Sequence, residues 1–232
     1  MDLEVLILCG GFGTRLSSVV SDRPKCLASI NGVPFLDLII SNIQKSGIKK
    51  ITLCTGFMSQ KIEDKYRSEK NIFISREITP LGTGGAIFNA MKFMKNNNIL
   101  VINGDSIMKI DYVDFFLKFI ESKKKFAIGL QKKNERTDVG GVLLTKDSIV
   151  EIFNAKFNSE MEYGYINCGV YIMQRELLES RMNGIYKISL EEEFIPSLIK
   201  GGIDIFGYTN IENLMDIGTP ERYENFKSFY SN

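Results

Sequence analysis

Histidine is absent from this chain, which rules out imidazole acid–base catalysis and histidine metal ligation. The four cysteines, Cys9, Cys26, Cys54 and Cys168, include no Cys-x-x-Cys pair, so a cysteine zinc site is not expected. Free thiols of this kind point to a reducing, cytoplasmic compartment. An excess of one charge is also lacking: 29 Lys and Arg against 28 Asp and Glu leave a formal net charge of +1. No global field therefore draws the chain to nucleic acid or to an anionic membrane. The short basic run Lys123-Lys124-Lys125 reads as a solvated helix end or loop. No apolar stretch reaches the ~18–20 residues of a membrane span. The N-terminus, Met1-Asp2-Leu3-Glu4, is acidic and runs straight into an apolar segment, so no secretory signal is expected. No internal repeat, low-complexity tract or Pro/Gly/Ser-rich linker interrupts the 232 residues, and one domain with its own core is the expectation.

What is present is an alternation of apolar β-like runs with helical patterns, the mark of a layered α/β domain. Strands are predicted at Val5–Leu8, Lys50–Thr55, Ile72–Ser75, Ile99–Ile102, Phe126–Gln131, Val142–Leu144, Cys168–Met173 and Ile205–Tyr208. Helices are predicted at Phe35–Ser46, Met58–Tyr66, Gly84–Met94, Val113–Ser122, Arg175–Met182, Leu190–Lys200 and Pro220–Tyr230. In the first of these, Phe35, Leu36, Ile39, Ile40 and Ile43 make one apolar stripe at helical spacing, and Gly47 follows its end. The strand at Ile51–Leu53 comes almost at once, which is a βαβ-like unit with a right-handed crossover.

The most informative stretch is Leu8-Cys9-Gly10-Gly11-Phe12-Gly13-Thr14-Arg15-Leu16, with Pro24-Lys25 shortly after. A strand that ends in a glycine-rich turn gathers backbone N–H groups in one concavity, which suits phosphate oxygens. Arg15 adds a planar fork of donors with a permanent charge, and Lys25 adds a point-like cation. The spacing matches neither the Rossmann fingerprint nor a Walker A loop.

Three further constellations accompany it. Ile99 to Asp105 is an apolar strand that delivers Asn103-Gly104-Asp105 at its C-terminal end, where α/β sheets place ligands. Alone, Asp105 reads equally as a turn acid. Asp216, in Asp216-Ile217-Gly218-Thr219-Pro220, stands just before a helix opener and reads either as part of a capping arrangement or as a second carboxylate. If the two acids meet in space, they form a two-carboxylate site for Mg2+. Leu81-Gly82-Thr83-Gly84-Gly85 places three glycines at a helix entrance, which serves either as a turn or for close approach to a flat ligand.

These five motifs, Leu8 to Leu16, Pro24-Lys25, Leu81 to Gly85, Asn103 to Asp105 and Asp216 to Pro220 in chain order, resemble the sugar-phosphate nucleotidyltransferase family over essentially the whole chain. The resemblance implies a three-layer α/β/α, Rossmann-like, glycosyltransferase-A-like fold with a mixed central sheet. It divides the single domain into a nucleotide-binding part at about 1–110, a sugar-binding part at about 111–215 and the C-terminal helix. By that likeness Leu8, Cys9, Gly10, Gly11, Gly13, Thr14, Arg15 and Lys25 hold a nucleoside triphosphate, with Leu81, Gly82, Thr83 and Gly84 against the base and Asn103 and Gly104 beside them. Arg15, Lys25 and Asp105 carry the chemistry, and Asp105 and Asp216 hold Mg2+.

On the sugar side, Val139-Gly140-Gly141-Val142 resembles the family's Tyr-Gly-x-Val segment, which puts Gly140 near the sugar, with Val139 in place of the aromatic residue. Phe153-Asn154-Ala155-Lys156 resembles Phe-x-Glu-Lys: Ala155 replaces the glutamate and Lys156 remains for the sugar phosphate. Asn167, in Asn167-Cys168-Gly169-Val170-Tyr171, and Glu191, in Ser189-Leu190-Glu191, complete the set. Glu191 reads equally as part of a solvated acidic helix start.

The likeness further implies a cytoplasmic enzyme, expected to be a homodimer, that joins a nucleoside triphosphate to a sugar 1-phosphate. GTP with a heptose 1-phosphate is the expected pair; mannose 1-phosphate, or uridylyl or thymidylyl transfer to another hexose 1-phosphate, are the alternatives. A non-catalytic, nucleotide-sugar-sensing subunit is the competing class, and the presence of Arg15, Lys25, Asp105 and Asp216 speaks against it.

Overall fold

After Glu4, strand β1 (Glu4–Leu8) is apolar on both faces, as a strand covered on both sides must be. It runs parallel to β2 (Ile51–Thr55) and to β4 (Asn98–Asn103), with Leu6 opposite Thr52 and Val101. β3 (Ile72–Arg76) continues the parallel set beyond β2. These coordinates are a computed structural model that describes residues 3–132, 141–155, 164–182 and 187–230.

Beyond β4 the pairing reverses. β8 (Tyr165–Gln174) lies antiparallel to β4 and to β5 (Phe126–Lys132), and its first residues pair with β6 (Gly141–Leu144). β7 (Val150–Ala155) pairs with β6, and β9 (Phe206–Tyr208) with β5. Together they make a nine-stranded mixed sheet, as expected. Two short ribbons stand apart, Ser29–Ile30 with Val33–Pro34 and Ser106–Lys109 with Glu212–Asp216.

Alternation along the strands separates two apolar layers. Val5, Ile7, Leu53 and Ile102 pack with helices α1 (Phe35–Lys45), α4 (Tyr112–Ser122) and α7 (Pro220–Phe229). Leu6, Val101 and Tyr171 face the other way, onto α3 (Gly82–Ala90), α5 (Arg175–Met182) and α6 (Ile195–Lys200). Helix α2 (Ser59–Tyr66) joins β2 to β3. Each fully buried Leu, Ile or Phe contributes roughly 1.5–3 kcal/mol, so the two layers carry most of the folding free energy. No helix among the described residues is long and apolar enough to cross a membrane.

The differences from the sequence reading are local. The helix predicted at Gly84–Met94 begins at Gly82 and ends in a 3-10 turn, Met91–Phe93. The helix predicted at Leu190–Lys200 opens as a π turn, Leu190–Phe194, closed by the Phe194 N–H on the Ser189 carbonyl at 2.9 Å. The Lys123–Lys125 run is a helix end as expected: Lys123 caps α4 with a left-handed backbone, and Lys124 and Lys125 pair with Asp204 and Glu176. The strands at 106–109, 150–155 and 212–216 were not foreseen, because half-exposed residues of mixed polarity carry no clear period.

Candidate active site

The C-terminal ends of β1 to β4 open into a cleft, and local hydrogen bonds shape its floor. The Cys9 N–H donates to the Cys54 carbonyl at 2.8 Å and the Gly104 N–H to the Leu8 carbonyl at 3.0 Å. This pins the glycine loop between the ends of β2 and β4. Leu8, Cys9, Gly10, Gly11, Lys25, Gly82, Thr83, Asn103, Gly104 and Asp105 all line a cavity of about 370 Å³. The Cys9 thiol, hydrogen-bonded with Cys26 and buried, is pushed well up, and burial pushes Cys54 up to about 12. Both stay protonated at neutral pH, so they form wall and not nucleophile.

Gly13 sits in the left-handed region at φ 63° and caps the 3-10 turn Thr14–Leu16 that carries Arg15. A Cβ on Gly13 would stand 3.1 Å from the Cβ of Lys25, so glycine here lets the two halves of the loop touch. Thr14 is exposed, and its carbonyl accepts the Ser17 hydroxyl at 2.7 Å.

A second cleft of about 250 Å³ adjoins the first and shares Asn103 and Asp105 with it. Arg15, Asn167, Glu191, Asp216 and Arg222 complete its wall. The two acids therefore do meet in space. The Ser106–Lys109 ribbon sets Asp216 opposite Ser106, and the Ile217 N–H donates to the Asp105 carbonyl at 3.0 Å.

Each acid is balanced by a cation of the chain. Asp105 forms an ion pair with Lys25, their side chains 28% and 18% exposed. Burial alone would raise the Asp105 carboxyl. The Lys25 ammonium, the Ser106 hydroxyl and the charge of Arg15 outweigh burial and hold it below the usual carboxylate range. Asp216 pairs with Arg222 at 3.3 Å, and its Oδ1 accepts the Gly218 N–H at 2.8 Å. Thr219 does cap α7, accepting the Arg222 N–H at 3.3 Å, so the segment both caps a helix and brings Asp216 into the second cleft. A Cβ on Gly218 would stand 2.8 Å from Asp216 Oδ1 and 3.8 Å from Arg15 Nη2, which brings the arginine into the same corner.

The Leu81–Gly85 loop packs first against the protein's own chain. A Cβ on Gly82, at φ 72°, would stand 2.5 Å from the Ile188 carbonyl oxygen, and one on Gly84 2.8 Å from Ile188 Cγ2. The Gly84 N–H donates to Ile188 O at 3.0 Å, and Leu81 O accepts the Ile188 N–H at 2.9 Å, so Leu81 and Gly84 stand behind the wall. The Thr83 hydroxyl donates to Glu191 Oε2 and accepts the Leu190 N–H, each at 2.7 Å.

Glu191 is not a solvated helix acid. The π turn swings it inward to Thr83 and to the Tyr171 hydroxyl, which in turn accepts from Asn167 Nδ2 at 2.8 Å. Glu192 and Glu193 take the solvated side; Glu193 accepts the Ser189 N–H at 2.8 Å. Burial and the Glu191 charge push Tyr171 well up, so it stays a neutral donor. Gly140 and Lys156 lie outside the described residues.

Sequence reasoning missed Arg222 and Glu77 in these walls. For Glu77 a signal existed: it is an acid just past the C-terminal end of a predicted strand, the ligand side of such a sheet.

Comparison with known proteins bears on this site. A family profile described as nucleotidyl transferase matches residues 4–232. The sequence is 35% identical to a D-glycero-alpha-D-manno-heptose 1-phosphate guanylyltransferase of Aneurinibacillus thermoaerophilus over 225 residues, 95% of each chain. It is 34% identical to the protein of the same name from Campylobacter jejuni over 232 residues, 97% of this chain and 98% of that one. Among solved structures, HddC from Yersinia pseudotuberculosis complexed with GMP-PN superposes with a TM-score of 0.85 at 29% identity, covering 98% of this chain and 99% of the other.

Proposed function

The chain belongs to the nucleotidyl transferase family, and on that premise we propose that it transfers a guanylyl group from GTP to D-glycero-alpha-D-manno-heptose 1-phosphate, releasing pyrophosphate. The observation that carries the reading is Asp105, shared by the two clefts, with Lys25 on one side and Asp216 and Arg15 on the other. Two substrates need two adjoining clefts, and their reacting phosphates need the charge at the junction. The relatives named above, alike along nearly their whole length, support guanine and heptose. The product would feed surface polysaccharide synthesis. A cytoplasmic site of action accords with four free, buried cysteines.

A sugar 1-phosphate oxygen attacks the α-phosphorus of GTP, and the bond to the departing pyrophosphate breaks. No general base is required, because the second pKa of a phosphate monoester is near ~6 and the nucleophile is already dianionic at neutral pH. That suits a chain without histidine. The difficulty is to align two anions, so the protein contributes positioning and positive charge. Lys25 stabilises charge gathering at the α-phosphate. Arg15 and the N–H groups of the glycine loop hold the oxygens that leave. Glu191, oriented by Thr83 and Tyr171, and Asn167 face the sugar.

Mg2+ fits the donor set at the junction. Asp105 and Asp216 offer hard oxygen ligands at one corner, and among the described residues no larger acidic, thiol or imidazole group gathers. The chain would thus supply two ligands and leave the rest to phosphate oxygens and water. Bound there, the ion supplies charge neutralisation between the two reacting phosphates.

The direct test is pyrophosphate release with Mg2+, each of the four nucleoside triphosphates and a panel of sugar 1-phosphates. GTP with the heptose 1-phosphate should give the highest kcat/KM; a higher value with mannose 1-phosphate or with UTP would defeat the assignment. Arg15→Ala should raise the KM for GTP about tenfold or more while kcat changes less, the loss of a charge-assisted contact. An unaltered KM would remove Arg15 from the phosphates.

A further inference from the structure

Arg222 has no part in the reaction outlined above, yet it lines the second cleft beside Asp105 and Asp216. It stands in the first turn of α7, where the positive end of the helix dipole favours an acid and disfavours a cation. Its backbone N–H goes to the Thr219 cap. A guanidinium at this position weakens the helix, so the compensation lies in what its side chain touches.

It touches Asp216. Nη1 lies 3.3 Å from Oδ1 and 3.4 Å from Oδ2, so one nitrogen spans both oxygens of the carboxylate. The Asp216 side chain is 12% exposed, and its Oδ1 also accepts the Gly218 N–H. A carboxylate so placed needs a cation beside it. A metal ion held by Asp216 uses the same two oxygens. Arg222 and the metal therefore compete for one carboxylate, and two cations crowded onto it repel each other.

The charges around the corner sharpen that competition. Among the described residues, Asp105, Asp216 and Glu191 stand with Arg15, Arg222 and Lys25, three acids with three cations. A divalent ion alone adds two charges that nothing offsets, and a phosphate dianion alone does the reverse. Bound together, they leave the balance as it was. Lys25 lines the larger cleft, whereas Arg222 lines the second. A Cβ on Gly218 would stand 3.8 Å from Arg15 Nη2 and 3.9 Å from Arg222 Nη1, so the two guanidinium groups flank one point. Two planar forks about one point suit the oxygens of a phosphate.

Resting on the transfer reading above, we propose that Arg222 exchanges partners during binding: it yields Asp216 to Mg2+ and turns its guanidinium to the phosphate of the sugar 1-phosphate. Metal and sugar 1-phosphate thereby bind cooperatively, because each removes what opposes the other. A divalent ion by itself binds weakly, since it must first displace the arginine.

The test is a binding measurement on the full chain. Mn2+ serves as the probe, a hard divalent ion suited to carboxylates, whose free-ion electron paramagnetic resonance signal falls when it binds. In the wild type, saturating Mn2+ should tighten the heptose 1-phosphate at least about tenfold, read by calorimetry. Arg222→Met keeps the stem and removes the charge. It should bind Mn2+ alone about tenfold more tightly, the worth of one charge-assisted bond no longer in competition. With Mn2+ present, the same variant should bind the heptose 1-phosphate about tenfold more weakly. Arg15→Met removes a charge from the same corner without freeing Asp216, and should tighten Mn2+ much less. Mn2+ binding unchanged or weakened in Arg222→Met would overturn the proposal, as would an equal gain in Arg15→Met or an unaltered affinity for the sugar phosphate. So would a wild type in which metal and heptose 1-phosphate bind independently, a result that needs no variant to fold. A wild type that binds no heptose 1-phosphate with or without Mn2+ would instead defeat the sugar assignment on which this rests, while the Mn2+ affinities still decide the competition at Asp216.

Discussion

Asp105→Asn is expected to lower kcat on the order of a thousandfold and to raise the Mg2+ concentration needed for half-maximal rate. The substitution keeps the shape of the side chain and removes its charge. Asp105 is shared by the two clefts and pairs with Lys25, while Ser106 donates to its Oδ1 at 2.9 Å. An amide there offers one acceptor in place of two, and it turns an NH2 group toward either Lys25 or Ser106. The Lys25 ammonium then loses its counter-charge in a half-buried site, so a lower melting temperature should accompany the loss of rate. Steady-state rates across a Mg2+ titration, with circular dichroism as a check on folding, decide the matter. Wild-type rates at low Mg2+ would refute a role for Asp105 at the metal.

Lys25→Ala should lower kcat about a hundredfold or more and change the KM for GTP much less, because its charge acts where charge gathers during the reaction. Alanine keeps the loop contact but leaves Asp105 without its counter-charge, so a lower melting temperature should accompany this loss too. Gly13 packs on the Cβ of Lys25, and alanine retains that atom, so the loop contact survives. Turnover unchanged in Lys25→Ala would take the lysine out of the chemical step. A rise in KM at constant kcat would make it a ground-state binding group only.

The glycine loop was legible because it depends on neighbours in sequence. Val5 to Leu8 is a fully apolar run, Gly10, Gly11 and Gly13 end it, and Arg15 follows on the same turn. Asp105 was legible for the same reason, as an acid delivered by an apolar strand. Asp216 was different. It meets Asp105 through a two-stranded ribbon of half-exposed residues, and such a pairing rests on backbone hydrogen bonds between distant segments. Glu191 was ambiguous within its run of three glutamates until the π turn separated it from Glu192 and Glu193. The Leu81–Gly85 glycines were read as room for a ligand; for Gly82 and Gly84 much of that room is taken by Ile188, more than a hundred residues later in the chain.

Composition and local pattern by themselves determined the layered α/β architecture, the absence of imidazole chemistry, and the residue types that gather in the glycine loop. These follow from apolar periodicity, from backbone freedom at glycine and from charge, all properties of a short window. Tertiary structure alone decided that two carboxylates share a corner, that Thr83 turns toward Glu191, and that Glu77 lies against Gly10 and Gly56 in the cleft wall. Those facts depend on which strands lie side by side, and sheet order is settled by the packing of the whole core.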